Sequence, residues 1–214
     1  MNLEKELEQL RNSLLQTERI QTELDRRDYY LKTLYDVSKD IFSSVEYEPI
    51  LKNFLLMTMG NFGVTEGFIL TVDIPSREIN GVVSTGFQAD DISLLRSGGC
   101  EILLSTELVM SMQSEMDLKS HGLLHPAMIC AFSFNVDTDC KGLMGLGAKL
   151  IGDPYNTNDV ELLETLINNL VVALKNAKSF EEIKGLNLDL QEKNIQLETA
   201  LKQLQASMRK VENP

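Results

Sequence analysis

The chain has 214 residues, 43% of them hydrophobic, enough for one packed domain with extensions. Its formal net charge of -12 argues against nucleic acid and anionic membranes as partners, since both attract Lys and Arg. Three cysteines (Cys100, Cys130 and Cys140), with no CxxC, speak against a disulfide framework or a cysteine zinc site and fit a reducing compartment.

The charged start, Met1-Asn2-Leu3-Glu4-Lys5-Glu6, does not read as a signal or transit peptide. No apolar run approaches the ~18 residues of a membrane span. The expected location is the cytoplasm. No Gly or Pro interrupts residues 1 to 48, so the spacing predicts a long helix. Leu3, Leu7, Leu10, Leu14, Thr17, Gln21, Leu24, Asp28, Leu31 and Tyr35 recur at alternating steps of four and three, a heptad seam. The seam is polar at Thr17, Gln21 and Asp28. Ile20 and Leu34 offer a shifted stripe.

Residues 30–180 read as the globular part, between coiled-coil helices at 1–29 and 181–214. Pro49 can open a second helix in its first turn, and the Gly60-Asn61-Phe62-Gly63 stretch closes it. Gly67–Asp73 and Ile79–Thr85 read as strands joined by a turn at Ile74-Pro75-Ser76-Arg77. Short helices are expected at Gln88–Ser97 and Ser105–Gln113, the latter with Ser105 as cap. Ala127–Val136 and Gly142–Leu150 read as a second hairpin around the Asp-rich turn 137–141. Met128-Ile129-Cys130-Ala131-Phe132 is apolar on both faces, so this sheet should be covered on both sides. Asn156-Thr157-Asn158-Asp159 caps a long helix carrying Leu162, Leu163, Leu166, Leu170 and Leu174. The order of elements is α+β around a central antiparallel sheet.

A second seam follows. Ile183, Leu190, Leu197, Leu204 and Val211 repeat every seven residues, with Asn187, Asn194, Leu201 and Met208 four after each of the first four. Asn at two successive a positions favours a parallel, in-register, two-stranded pair at some cost in stability.

The run Leu143-Met144-Gly145-Leu146-Gly147-Ala148, then Asp153 to Leu163, then Ala173-Leu174-Lys175-Asn176-Ala177, resembles the C-terminal half of GAF domains. Leu34 to Ser38, Ile50 to Met57 and Gly81 to Phe87 resemble the family's opening helices and second strand. The resemblance spans roughly residues 30 to 180. It implies an antiparallel sheet with long helices on one face and, on the other, a pocket roofed by short helices and loops. Such domains take a small molecule, a tetrapyrrole or nothing. They dimerise through their terminal helices and pass signals to an effector such as a kinase, cyclase or phosphatase.

On that reading the expected ligand-side residues are Phe87, Cys100, Met110, Met112, His125, Met128 and Cys130. The expected dimer seam is Leu7, Leu10, Leu14, Leu24 and Leu31, with Asn187, Leu190, Asn194, Leu197, Leu201 and Leu204. His125-Pro126-Ala127-Met128 is similar to a stretch of haem-binding GAF sensors, which makes haem, ligated by His125, the one named cofactor alternative. His121 and His125 are spaced for metal, but Gly122 and Pro126 oppose the helix that would align them. No other metal ligand is expected.

No GxxxxGK[ST], HExxH, GxSxG or GxGxxG occurs, so no enzyme is expected. The family's cyclic-nucleotide signature and its Cys-His bilin attachment context are absent too. The reductase within the family uses cysteines in a context not seen here. The expected function is a dimeric sensory module, with a ligand-free dimerisation spacer or a haem-based redox or gas sensor as the alternatives.

Overall fold

The computed structural model describes residues 2–104, 125–151 and 154–212. Helix α1 spans Asn2–Ile41 and α2 spans Tyr47–Phe62. Strands β1 (Gly67–Asp73) and β2 (Ile79–Thr85) follow, then helix α3 (Ala89–Leu104). Strands β3 (Cys130–Asn135) and β4 (Cys140–Leu146) lead to α4 (Thr157–Glu212), a single helix of 56 residues. No described helix is long and apolar enough to cross a membrane.

The four strands form one antiparallel sheet in the order β2-β1-β4-β3. Side chains alternate across it, so neighbouring residues enter different cores. Ile69, Cys130, Phe134, Met144 and Leu146 face the long helices α1, α2 and α4. Phe68, Leu70, Ala131 and Leu143 face α3. The sheet is therefore covered on both faces, as the doubly apolar strand sequence requires.

Each long helix has a separate reason for its place. α2 ends where Gly63 adopts a left-handed conformation (φ 61) and its N–H caps the last turn. Pro49 sits in the first turn, where its missing N–H is harmless. α1 buries Thr33, Val37 and Ile41 on one stripe, while Leu31 and Tyr35 stay exposed on another. Leu34 belongs to the domain-facing stripe. α4 fully buries Leu163, Leu166, Leu170 and Leu174, and each such side chain contributes about 1.5–3 kcal/mol.

α1 and α4 run parallel, side by side. Arg26 Nη2 donates to Asn156 Oδ1 at 3.4 Å near the start of α4. Further along both helices, Asn169 Nδ2 donates to Ser38 Oγ at 2.9 Å. The residues of α1 before Arg26 thus project from one end of the domain. Among the residues whose burial is described, Ala177 is the last buried one of α4, and those after it project from the other end.

Three sequence expectations need adjusting. Gln88–Ser97 was expected to end before Gly98-Gly99, yet α3 continues through both to Leu104. The reason is packing: a Cβ on Gly99 would lie 2.6 Å from Leu70 Cδ2, so the bare backbone lets α3 rest directly on β1. The second hairpin is tighter than expected, because β4 already begins at Cys140, which is buried rather than in an open turn. β3 is shorter, beginning at Cys130. The expected helix at Ser105–Gln113 lies outside the described residues.

Candidate functional site

The α3 side of the sheet is the candidate site. There Phe68, Leu70, Val72 and Leu143 of the sheet pack with Leu95, Ile102 and Leu103 of α3 into one buried cluster. Ile79, Val82, Phe87, Cys100 and Ala127 pack around the edge, partly buried.

Of the expected ligand-side residues, Phe87, Cys100, His125 and Met128 gather here. Met128 is fully packed beneath, where Gly145 leaves room for its sulfur and for the Phe68 ring. Cys130 faces the other way, into the helix-side core, because strand alternation places it opposite Ala131. Met110, Met112 and His121 lie outside the described residues.

His125 is held on three sides. Its Nδ1 accepts the Ala127 N–H at 3.2 Å, which puts the ring proton of the neutral form on Nε2. Nε2 lies 3.4 Å from Asp91 Oδ1. The ring meets Phe87 edge-on, with centroids 5.3 Å apart and planes at 75°. The other oxygen of Asp91 accepts the Gln88 N–H at 3.2 Å, a cap on the first turn of α3. The four groups fasten the start of α3 to the loop before β3. Asp91 was not singled out from sequence; its signal was an acid three residues after Gln88, the residue that precedes the helix.

This arrangement does not suit haem. An axial ligand needs a free imidazole nitrogen, and both nitrogens of His125 have protein neighbours. Among the described residues, no three His, Cys, Asp or Glu side chains gather as a metal site.

A second polar cluster lies at the other end of the sheet. Lys178 Nζ donates to Asp137 Oδ2 at 2.6 Å, while Asp137 Oδ1 accepts the N–H groups of Asp139 and Cys140 at 2.8 and 2.7 Å. These bonds, Lys178's first, hold Asp137 below the usual carboxylate range, and the same contact raises Lys178. Ile74 N–H donates to Asp139 O, so the two hairpin turns are joined. Cys140 Sγ sits 3.7 Å from Tyr47 OH and 3.6 Å from Asn80 Nδ2. Burial pushes both the Cys140 thiol and the Tyr47 phenol up. The sequence offered only the Asp-rich turn as a hint.

The expected seam residues are on the surface. Leu7, Leu10, Leu14, Leu24 and Leu31 are exposed along α1, and Leu190, Leu197 and Leu201 along α4. Asn187 and Asn194 are exposed beside them. Of Leu204 only its place in helix α4 is described.

No protein-family model and no curated protein matches the chain. Among solved structures, it superposes on the GAF domain of an Acinetobacter phosphoenolpyruvate-protein phosphotransferase with a TM-score of 0.50. The match covers 70% of this chain and 94% of that one, at 15% identity. The chain has the GAF fold. A GAF domain assigned to a sensor histidine kinase from Pseudomonas syringae pv. tomato is also similar. That match has 16% identity and a TM-score of 0.48, over 76% of this chain and 96% of the other.

Proposed function

We propose that the chain is a dimeric regulatory module without catalytic activity. Its GAF-fold domain takes a small molecule or a partner on the α3 side of the sheet. The response passes along α4, through a parallel two-stranded coil, to an effector such as a kinase, cyclase or phosphatase. The observation that carries this reading is the exposure of two apolar heptad stripes, with Leu10 at 70% and Leu31 at 65% on α1 and Leu197 at 61% on α4. Regular stripes of that length call for a partner helix. Asn187 and Asn194 favour a second copy in register. Lys193 and Glu198 lie five apart beside the seam, a spacing that brings opposite charges together in a parallel pair.

Light scattering on the full chain tests the dimer. The expected mass is twice the 24.1 kDa of one chain, and Leu197→Lys should halve it. A single-chain mass for the unaltered protein would end this reading. Native mass spectrometry then looks for a small-molecule adduct. The rival reading, a ligand-free dimerisation spacer, draws support from how tightly α3 rests on Leu70. A dimer with no adduct, and no thermal shift across a metabolite panel, would favour it.

A further inference from the structure

Helix α4 changes character at Ala177. Before it, Leu163, Leu166, Leu170 and Leu174 anchor the helix in the core. From Lys178 to Gln203 every residue is exposed. Within this stretch sits Gly185, in the middle of a helix, where glycine costs about 1 kcal/mol relative to alanine.

Several other glycines have a steric reason, although Gly60, in the last turn of α2, is as uncrowded as Gly185. Gly99, Gly142 and Gly145 each leave space that a neighbouring side chain fills. Gly185 has none, because a Cβ there would meet nothing within 4 Å. A second copy does not supply one either. Gly185 lies two residues after Ile183 and two before Asn187, on the side of the helix that points away from the seam. What remains is its effect on the helix itself.

Two further features fall in the same segment. Of the four seam positions Ile183, Asn187, Leu190 and Asn194, two are Asn, which weakens pairing there. At its start, the Asp137–Lys178 ion pair ties the first exposed turn to the β3–β4 hairpin. The other end of that hairpin follows the loop of His125 and Met128 at the candidate site, so one rigid ladder touches both places.

We propose that residues 178–194 are a built-in weak link in α4, latched by Asp137 and Lys178, at which the domain couples to or uncouples from the coil beyond. With the latch closed, the helix is continuous and carries a rotation of α4 outward. With it open, the segment frays and the coil from Leu197 onward is free of the domain. A ligand that shifts the hairpin biases the latch, since it need only favour one of two states. This rests on the paired coil proposed above.

Hydrogen exchange on the full chain, with light scattering on the same samples, tests it. Amides 181–190 should exchange faster than those at 166–176 and at 197–203. Gly185→Ala should slow exchange at 181–190 roughly fivefold, the factor that about 1 kcal/mol gives. Lys178→Ala should speed exchange at 178–190 and leave 197–203 and the core unchanged. A dimer with uniform protection from 166 to 203, or no response to Gly185→Ala, overturns the weak link while leaving the dimer standing. No response to Lys178→Ala overturns the latch. A monomer with 178–212 uniformly unprotected overturns the paired coil and this proposal with it.

Discussion

Phe134 and Gly142 are direct cross-strand partners, and the Phe134 ring lies over the bare backbone of Gly142. Phe68 and Gly145 repeat the arrangement on the opposite face. β4 thus carries one glycine per face, each covered by a phenylalanine from a neighbouring strand. The glycine-rich run that carries the family resemblance has this as its physical content: phenylalanine rings from β1 and β3 fill the space its glycines leave over β4, and both cores close above them.

Gly142→Ala would force the Phe134 ring out of its place, because the added Cβ overlaps it. Overpacking of this kind costs about 1–3 kcal/mol. Chemical denaturation should show a lower midpoint with an unchanged slope. Gly185→Ala, in open space, should show no such loss.

The three cysteines should react at different rates. Cys100 is partly exposed, whereas Cys130 and Cys140 are buried. Burial also keeps the Cys140 thiol protonated, and the thiolate is the reactive form. Titration of the native protein with an aromatic disulfide reagent should release one equivalent quickly. The other two should follow only on unfolding. Fast reaction of two or three thiols would contradict the packing of both cores.

The Asp137–Lys178 pair predicts how stability depends on pH. Asp137 is lowered in the folded chain, so its contribution is present above its unfolded pKa of about 3.9 and lost as pH falls through the folded value. Lys178 is raised, so its contribution is present below about 10.4 and lost as pH rises through its folded value. Between those limits this pair leaves stability flat. With side chains 46% and 26% exposed, it is worth under about 1 kcal/mol, small beside the buried leucines of α4. Melting curves from pH 3 to pH 7 should show a shallower acid limb for Asp137→Asn than for the parent. Identical limbs would mean that the pair adds nothing in solution.

Much of the secondary structure was legible because it follows from local periodicity. The heptads of α1 and α4, the α2 closing glycine and the first hairpin all depend on residues a few positions apart. The doubly apolar strand already implied cover on both faces. Where the reading failed, a distant residue decided. Gly98-Gly99 looks like a break until Leu70 is seen to need the space. Cys140 looks like a turn residue until Asp73 is seen to pair with it across β1 and β4, with Tyr47 beside its thiol.

The candidate site was legible only in part. Phe87, Cys100, His125 and Met128 do come together, but the pairing of His125 with Asp91 joins residues far apart in sequence. No spacing rule reaches that far. The same holds for the strand order, the parallel contact of α1 with α4, and the Asp137–Lys178 pair. Period and composition specify which face of each element is apolar, because that depends on the element's own geometry. Which apolar faces meet, and which polar groups are thereby brought within bonding distance, depends on how the whole chain packs. That was decided by tertiary structure alone.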